Sequence, residues 1–272
     1  MLQNIQAKII GLFGNKEEIV LEIQKNKIYN EDCIEFMRKL PDESVNLIIA
    51  DPPYNIGKDK GDGWDNVTNY LEKFEEWCVE WKRILDKKGL IYCYCSQWYQ
   101  ADIEMIFKKY FIIQNRIIYH YNNGQRTAIK RFPYSYEPIF LCSKQQENNF
   151  IPVRNPNNVQ KGVRTKRNKN GTITVTKPHP GGVKYTDVWD IPKLSGGQKQ
   201  TTHPTEKPLE LSERMLRSVE NLNLVYIPFA GSGSEIVSCI KNKRNWLATE
   251  VNNTYIKELI DPRIQAFLSE EV

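Results

Sequence analysis

Short apolar runs rich in β-branched and aromatic residues recur along this chain, with amphipathic stretches between many of them. That alternation constrains the fold more than any other feature. The runs lie at 26–30 (NKIYN), 44–50 (SVNLIIA), 89–95 (GLIYCYC), 115–121 (NRIIYHY), 135–143 (SYEPIFLCS), 223–229 (NLVYIPF) and 245–251 (NWLATEV). Most have the composition of strands. Residues 69–85 place Leu71, Phe74, Cys78, Trp81 and Leu85 on one helical stripe, and 208–220 and 233–243 repeat the pattern. Strands separated by helices favour an open, mostly parallel sheet with helices on both faces, an α/β fold. No helix pattern separates 115–121 from 135–143, so those two runs are expected to pair as an antiparallel hairpin at one edge.

Residues 145–200 interrupt the rhythm. They are rich in Asn, Gly, Pro, Lys and Thr and are too long for an ordinary connection. They read as an inserted subdomain or binding loop within one catalytic domain spanning 1–272. Charge marks the same region. From Met105 to Thr186 there are 15 Lys and Arg against two acids, Glu137 and Glu147; the segment carries +13 and leaves −8 for the rest. Such asymmetry points to a polyanion on one face, with a merely solvated basic loop as the alternative. The candidate nucleic-acid contacts are Arg126, Lys130, Arg131, Lys161, Arg164, Lys166, Arg167 and Lys169.

The six cysteines form no CxxC pair, and the three histidines, His120, His179 and His203, have no zinc spacing. No metal is expected. Cys93 and Cys95 alternate within a strand-like run and read as core thiols. No run is long enough for a membrane span, and the N-terminus lacks the apolar segment of a signal peptide. The expected location is the cytoplasm, without membrane contact.

Two local motifs carry the chemistry. VYIPFAGSGSEIVSCI (225–240) is a strand, a glycine turn and a helix. Gly231 and Gly233 permit a tight turn, and the helix start offers free N–H groups. Glu250 ends the next strand, where an acid can accept from both hydroxyls of a ribose. Ile236 stands at the third glycine of a dinucleotide fingerprint, and the Lys-Ser/Thr of a P-loop is missing. A nucleoside cofactor without pyrophosphate fits better, and S-adenosyl-L-methionine is one. Phe229 and Tyr54 are aromatic candidates to face its sulfonium.

The second motif is DPPYN (51–55), at the end of an apolar strand. An amino group on a nucleobase is a poor nucleophile, because its lone pair is delocalised into the ring. A site that accepts both N–H hydrogens localises that pair. Asp51 offers a carboxylate, and Pro52 a carbonyl whose direction the Pro52–Pro53 pair stiffens. Tyr54 offers a flat face for a flipped-out base. GDGWDN (61–66) reads as a mobile flap, with Trp64 either wedging beside DNA or packing.

With these motifs the chain resembles the amino-group DNA methyltransferases, and its motif order looks like their β group. DPPYN matches their catalytic motif, PFAGSG (228–233) is similar to their cofactor motif, and HPTEKPLEL (203–211) to the segment before it. The likeness covers roughly residues 26–258. It implies a circularly permuted, Rossmann-like methyltransferase fold that transfers methyl groups from S-adenosylmethionine to N6 of a flipped-out adenine in double-stranded DNA, in a restriction-modification system. Catalytic roles then fall to Asp51, Pro52, Pro53 and Tyr54. Asp32 would meet the cofactor adenine and Glu250 its ribose, with Phe229, Gly231 and Gly233 on the methionine side and Thr205 and Lys207 nearby. The segment 145–200 would be the target-recognition region. A homodimer and a cognate restriction endonuclease are compatible partners that the likeness does not fix. Ile227 departs from the pattern, standing where the family often has an acid. Cytosine N4 methylation is the alternative reaction. Methylation of a glutamine side chain and a nucleic-acid-binding module without chemistry are more distant readings. Cytosine C5 chemistry needs a Pro-Cys nucleophile, which the chain does not have.

Overall fold

The computed structural model describes residues 4–10, 18–57, 65–123, 130–159, 162–199 and 201–270. The chain opens with an antiparallel pair, β1 (Asn4–Ile10) and β2 (Glu18–Gln24). β3 (Lys27–Tyr29) then leads into α1 (Cys33–Met37), and β4 (Val45–Ala50) precedes α2 (Tyr70–Ile84). β5 (Leu85–Tyr94), α3 (Gln100–Tyr110), β6 (Ile112–His120) and β7 (Tyr136–Ser143) follow. Short strands β8 (Arg154–Asn155), β9 (Arg164–Arg167), β10 (Ile173–Thr176), β11 (Val183–Lys184) and β12 (Val188–Asp190) occupy the basic region. The chain then alternates again through α4 (Leu209–Arg217), β13 (Leu224–Ile227), α5 (Ser234–Lys241) and β14 (Asn245–Thr249). It finishes with α6 (Asn253–Tyr255), a π-helical turn at Ile256–Ile260 and α7 (Asp261–Glu270).

The central sheet has eight strands in the order β12-β6-β7-β5-β4-β13-β14-β3. Only β7 runs against its neighbours, so the sheet is mostly parallel, as the alternation predicts. The expected β6–β7 hairpin pairing is present. It does not form the edge, because β12 adds outside β6 and buries Trp189 there.

Side chains of each strand alternate between two apolar clusters. Ile48 and Ala50 point to the layer built by α1, α2 and α3, with Phe36, Phe74, Trp81 and Phe107. Leu47 and Ile49 point to the other layer, with Leu211 and Met215 of α4 and Ile236 and Cys239 of α5. Burying each such side chain contributes about 1.5–3 kcal/mol. All six cysteines are buried and free, so Cys93 and Cys95 are core thiols as expected. Among the described residues no helix is long and apolar enough to cross a membrane, and no His, Cys, Asp or Glu cluster suits a metal.

β4 and β13 are neighbours in the sheet, yet the helices that follow them lie on opposite faces. The loops after these strands therefore diverge and open a crevice at their carboxyl ends, the usual ligand site of an open parallel sheet.

Within the basic region β9 pairs with β10 as an exposed hairpin, and β11 pairs with β8. The last part of 145–200 is not a loop. It returns to the central sheet as β12.

Candidate active site

Four adjacent parallel strands, β4, β13, β14 and β3, each deliver a sequence-predicted residue at or just beyond their carboxyl ends. Asp51 follows β4, Phe229 to Gly233 follow β13, Glu250 follows β14 and Asp32 follows β3. A cavity of about 270 Å³ lies between them. Asp32, Asp51, Pro52, Pro53, Tyr54, Thr205, Lys207, Phe229, Gly231 and Glu250 all line it. Gly233 does not. It sits at φ +76° before α5, and a Cβ there would come within 3.2 Å of Ile260, so its role is the turn and its packing.

The DPPYN loop is held from several directions. Asn55 adopts φ +54°, a left-handed value that Asn tolerates. Its side chain accepts from the Val67 N–H (2.8 Å) and donates to the Tyr99 hydroxyl (3.2 Å). Asp65 is buried and accepts from the Asn55 N–H (2.7 Å) and the Ile56 N–H (3.2 Å). Asp65 thus clasps the DPPYN loop, although its segment reads as a flap in the sequence. Trp64 and residues 61–63 lie outside the described residues.

Asp51 itself is engaged on both oxygens. Lys207 Nζ donates to Oδ2 at 2.7 Å, and the Tyr54 hydroxyl lies 2.9 Å from Oδ1. Glu137, at the start of β7, completes the cluster: its Oε2 is 3.1 Å from the Tyr54 hydroxyl and 3.3 Å from Lys207 Nζ. Burial alone would lower the Lys207 pKa, but Asp51 and Glu137 outweigh it, and the lysine is held above its usual value. A charged Lys207 therefore sits between two carboxylates. The family likeness implies a place for Lys207 near the methionine side of the cofactor; Lys207 does line the cavity, and its ammonium lies on Asp51.

Tyr54 also differs from expectation. Its ring is only 7% exposed, with Lys207 Nζ 5.2 Å from its centroid. The hydroxyl is drawn inward by Asp51 and Glu137, so the ring forms the pocket's wall and presents little open face.

Asp32, Glu250 and the glycine loop line the same cavity. Asp32 caps α1, with Oδ1 accepting from the Ile34 N–H at 2.9 Å. Glu250 accepts from the Gly231 N–H (2.9 Å) and the Asn252 N–H (2.8 Å), one on each oxygen. Each oxygen keeps a lone pair for a ribose hydroxyl. Burial raises the Glu250 pKa, and the backbone bonds oppose that rise. Gly231, at φ +50°, lets the His203 ring approach to 3.4 Å of where a Cβ would stand. Burial first, then the Lys207 charge, lowers His203 to about 4, so it is neutral at pH 7. Phe229 packs edge-on against Trp77, with ring centroids 4.9 Å apart.

The family is decided by most of the chain. The DNA methylase model of the N6 and N4 type matches residues 45–261. The chain belongs to this DNA methylase family. Among curated relatives, the Type II methyltransferase M1.MboII of Moraxella bovis is 29% identical over 88% of this chain and 96% of its own length. The DNA adenine methyltransferase YhdJ of Escherichia coli (strain K12) is 29% identical over 90% of this chain and 82% of its own. Two solved structures share the fold. The M1.HpyAVI–SAM complex covers 88% of this chain and 98% of its own, with a TM-score of 0.61 and 23% identity. The cytosine-N4-specific PvuII DNA methyltransferase covers 90% and 91%, with a TM-score of 0.63 and 14% identity.

S-adenosylmethionine is the cofactor of this DNA methylase family, and the cavity fits it. Asp32 and Glu250 line it, and the glycine turn allows close backbone approach. Because Glu250 also fastens the Gly231 loop, Glu250→Ala should weaken S-adenosylmethionine binding by roughly tenfold or more, the worth of a charge-assisted hydrogen bond. Calorimetry would show this; unchanged affinity would leave Glu250 with the loop clasp alone.

Glu137 and Asp65 join the site from outside its two chemical motifs, and His203 and Glu235 lie within quoted motifs that gave them no role. Glu137 does carry a visible signal: it is one of only two acids in the +13 segment. Of the basic candidates, Lys130, Arg131, Arg164, Lys166, Arg167 and Lys169 are all exposed. Arg126 and Lys161 lie outside the described residues.

Proposed function

We propose that this chain methylates N6 of adenine in double-stranded DNA, with Asp51 as the residue that receives the target amine. The observation that carries the reading is one cavity lined by both Asp51 and the glycine loop. S-adenosylmethionine supplies, when bound, an electrophilic methyl group on its sulfonium. Asp51 accepts one amine hydrogen and the Pro52 carbonyl the other, which turns the nitrogen lone pair toward that methyl. A carboxylate has about four lone-pair sites, and Lys207 and Tyr54 use two here, so Asp51 keeps room for the amine. Lys207 pairs with Asp51 Oδ2 at 2.7 Å and fixes its orientation. The proton leaves the nitrogen only after transfer, so no strong base is needed beforehand.

The amine lies inside the duplex stack, so the base must be flipped out, at a cost of a few kcal/mol. The adenine assignment is supported by Asp in the first motif position, by Asn55 after the tyrosine and by the likeness to an adenine methyltransferase at 29% identity. Cytosine N4 is the second reading, since the hydrogen-bond chemistry of Asp51 suits either amine. Nucleoside mass spectrometry of DNA methylated in vitro distinguishes them: N6-methyladenine is expected, and N4-methylcytosine alone would overturn the choice of base.

We assign the β8–β11 region to target recognition, and a restriction-modification role follows the Type II relatives. The β9–β10 register pairs Arg164 with Thr176, Lys166 with Thr174 and Arg167 with Ile173. Arg164 and Lys166 therefore share one face, and Arg167 points to the other. Neutralising all three should reduce the salt dependence of DNA affinity by about two in log–log slope, near 0.9 for each phosphate that is no longer neutralised. An unchanged slope would mean that this hairpin does not touch the backbone.

A further inference from the structure

Glu235 is the second residue of α5 and lines the same cavity, yet neither the fold nor the proposed reaction uses it. It is 5% exposed, and its Oε1 has no hydrogen-bond partner. A buried carboxylate oxygen without a donor is costly and calls for an explanation. Its charged surroundings come from every packed element. Asp51 follows β4, Tyr94 ends β5, Lys207 precedes α4, Cys239 lies on α5 and Arg263 on α7. The two cations are engaged elsewhere. Lys207 bonds Asp51 and Tyr54, and Arg263 pairs with Glu206 (3.0 Å) and donates to the Ser232 carbonyl (2.9 Å). Neither supplies a hydrogen bond to Oε1.

We propose that Glu235 is the counter-charge for the donor's sulfonium, and so makes this pocket prefer the charged donor over its neutral thioether product. The inference rests on the proposed use of S-adenosylmethionine at this site. That cofactor carries two positive charges, the sulfonium and the α-ammonium. The methyl group must face an amine held by Asp51, so the sulfonium is the charge nearest Asp51. Glu235 follows Ser234, whose hydroxyl donates to the Lys207 carbonyl (2.9 Å), and the Lys207 ammonium is on Asp51 (2.7 Å), so Glu235 lines the cavity on the Asp51 side. The carboxylate and the sulfonium therefore share one end of the cavity. S-adenosylhomocysteine keeps the ammonium and loses the sulfonium, so a carboxylate placed here distinguishes the two.

The protonation of Glu235 supports this and supplies a signature. Burial first, then Asp51, raises it to about 7. A cation arriving beside it favours the ionised form and lowers that value. Binding at pH 7 should then release up to about half a proton.

The test is calorimetry at pH 7 in two buffers of different ionisation enthalpy, on the wild type and on Glu235→Gln. The probes are S-adenosylmethionine, S-adenosylhomocysteine and sinefungin, which carries an amine cation in place of the sulfonium. Glu235→Thr gives a second neutral variant, and melting without ligand checks that each one folds. The expected result is a roughly tenfold loss for the two charged ligands, less than twofold for S-adenosylhomocysteine, and no proton release in either variant. Equal losses for all three ligands, or proton release that persists in the variants, would overturn the assignment. No binding by the wild type would instead remove the cofactor reading on which it stands.

Discussion

Asp51→Ala should lower methyl transfer by about 10²–10³-fold, the typical loss when one preorganised polar contact to the reacting group is removed. S-adenosylmethionine affinity should stay within a few-fold, because Asp32, Glu250 and the glycine loop remain. The fold should survive as well. Lys207 loses its 2.7 Å partner but keeps Glu137 at 3.3 Å, so its charge is not left alone. Rate measurements at saturating cofactor, paired with calorimetry, separate the two effects. Near wild-type turnover would remove Asp51 from the mechanism.

Lys207→Met should be more damaging to the protein as a whole. It removes the ammonium between Asp51 and Glu137, whose side chains are 18% and 12% exposed. Breaking a buried ion pair from one side costs about 3–5 kcal/mol, and two carboxylates are left facing each other. For a chain of this size that corresponds to a fall in melting temperature of roughly 10 °C. The sign with pH also follows. The Lys207 pKa is raised in the fold, so its contribution is complete below the unfolded value near 10.4 and fades only as pH rises through the higher folded value. The ionisation of Lys207 itself therefore adds no pH dependence to the loss between pH 6 and pH 8; any that appears comes from the carboxylates it leaves behind. Methyl transfer should fall with it, since Asp51 loses its orientation. Combining Lys207→Met with Glu137→Gln should cost less than the sum of the two, because the residues share one cluster. Simple additivity would show that the ion pairs are incidental.

Much of this site is legible in the sequence because its motifs are local. DPPYN at a strand end and PFAGSG between a strand and a helix each announce their own geometry. Glu250 follows from the next strand. The parallel sheet follows from the alternation of runs. Other features depend on tertiary contacts that no spacing encodes. Glu137 reaches Asp51's cluster from β7, far along the chain, and the approach of β7 to β5 sets that meeting. Lys207 is visible within HPTEKP, but the direction of its ammonium depends on how that loop folds under Tyr54. Asp65 sits in a glycine-rich stretch that looks mobile, and only its two bonds to Asn55 and Ile56 reveal the clasp. β12 is just three residues long and joins the sheet by pairing with β6, so composition hides it inside the basic region. α3 is hidden for a different reason: its buried stripe is only Ile103, Ile106 and Phe107, too short to stand out.

In the proposed mechanism Asp51, held by Lys207, receives the target amine beside the cofactor pocket. A structure with sinefungin and a duplex containing the recognised site tests it most directly. The expected result is a flipped-out adenine whose N6 lies within about 3 Å of both an Asp51 carboxylate oxygen and the Pro52 carbonyl, with Lys207 still on Asp51. A base that stays stacked in the duplex, or one that enters the pocket with its amine turned away from Asp51, would contradict it.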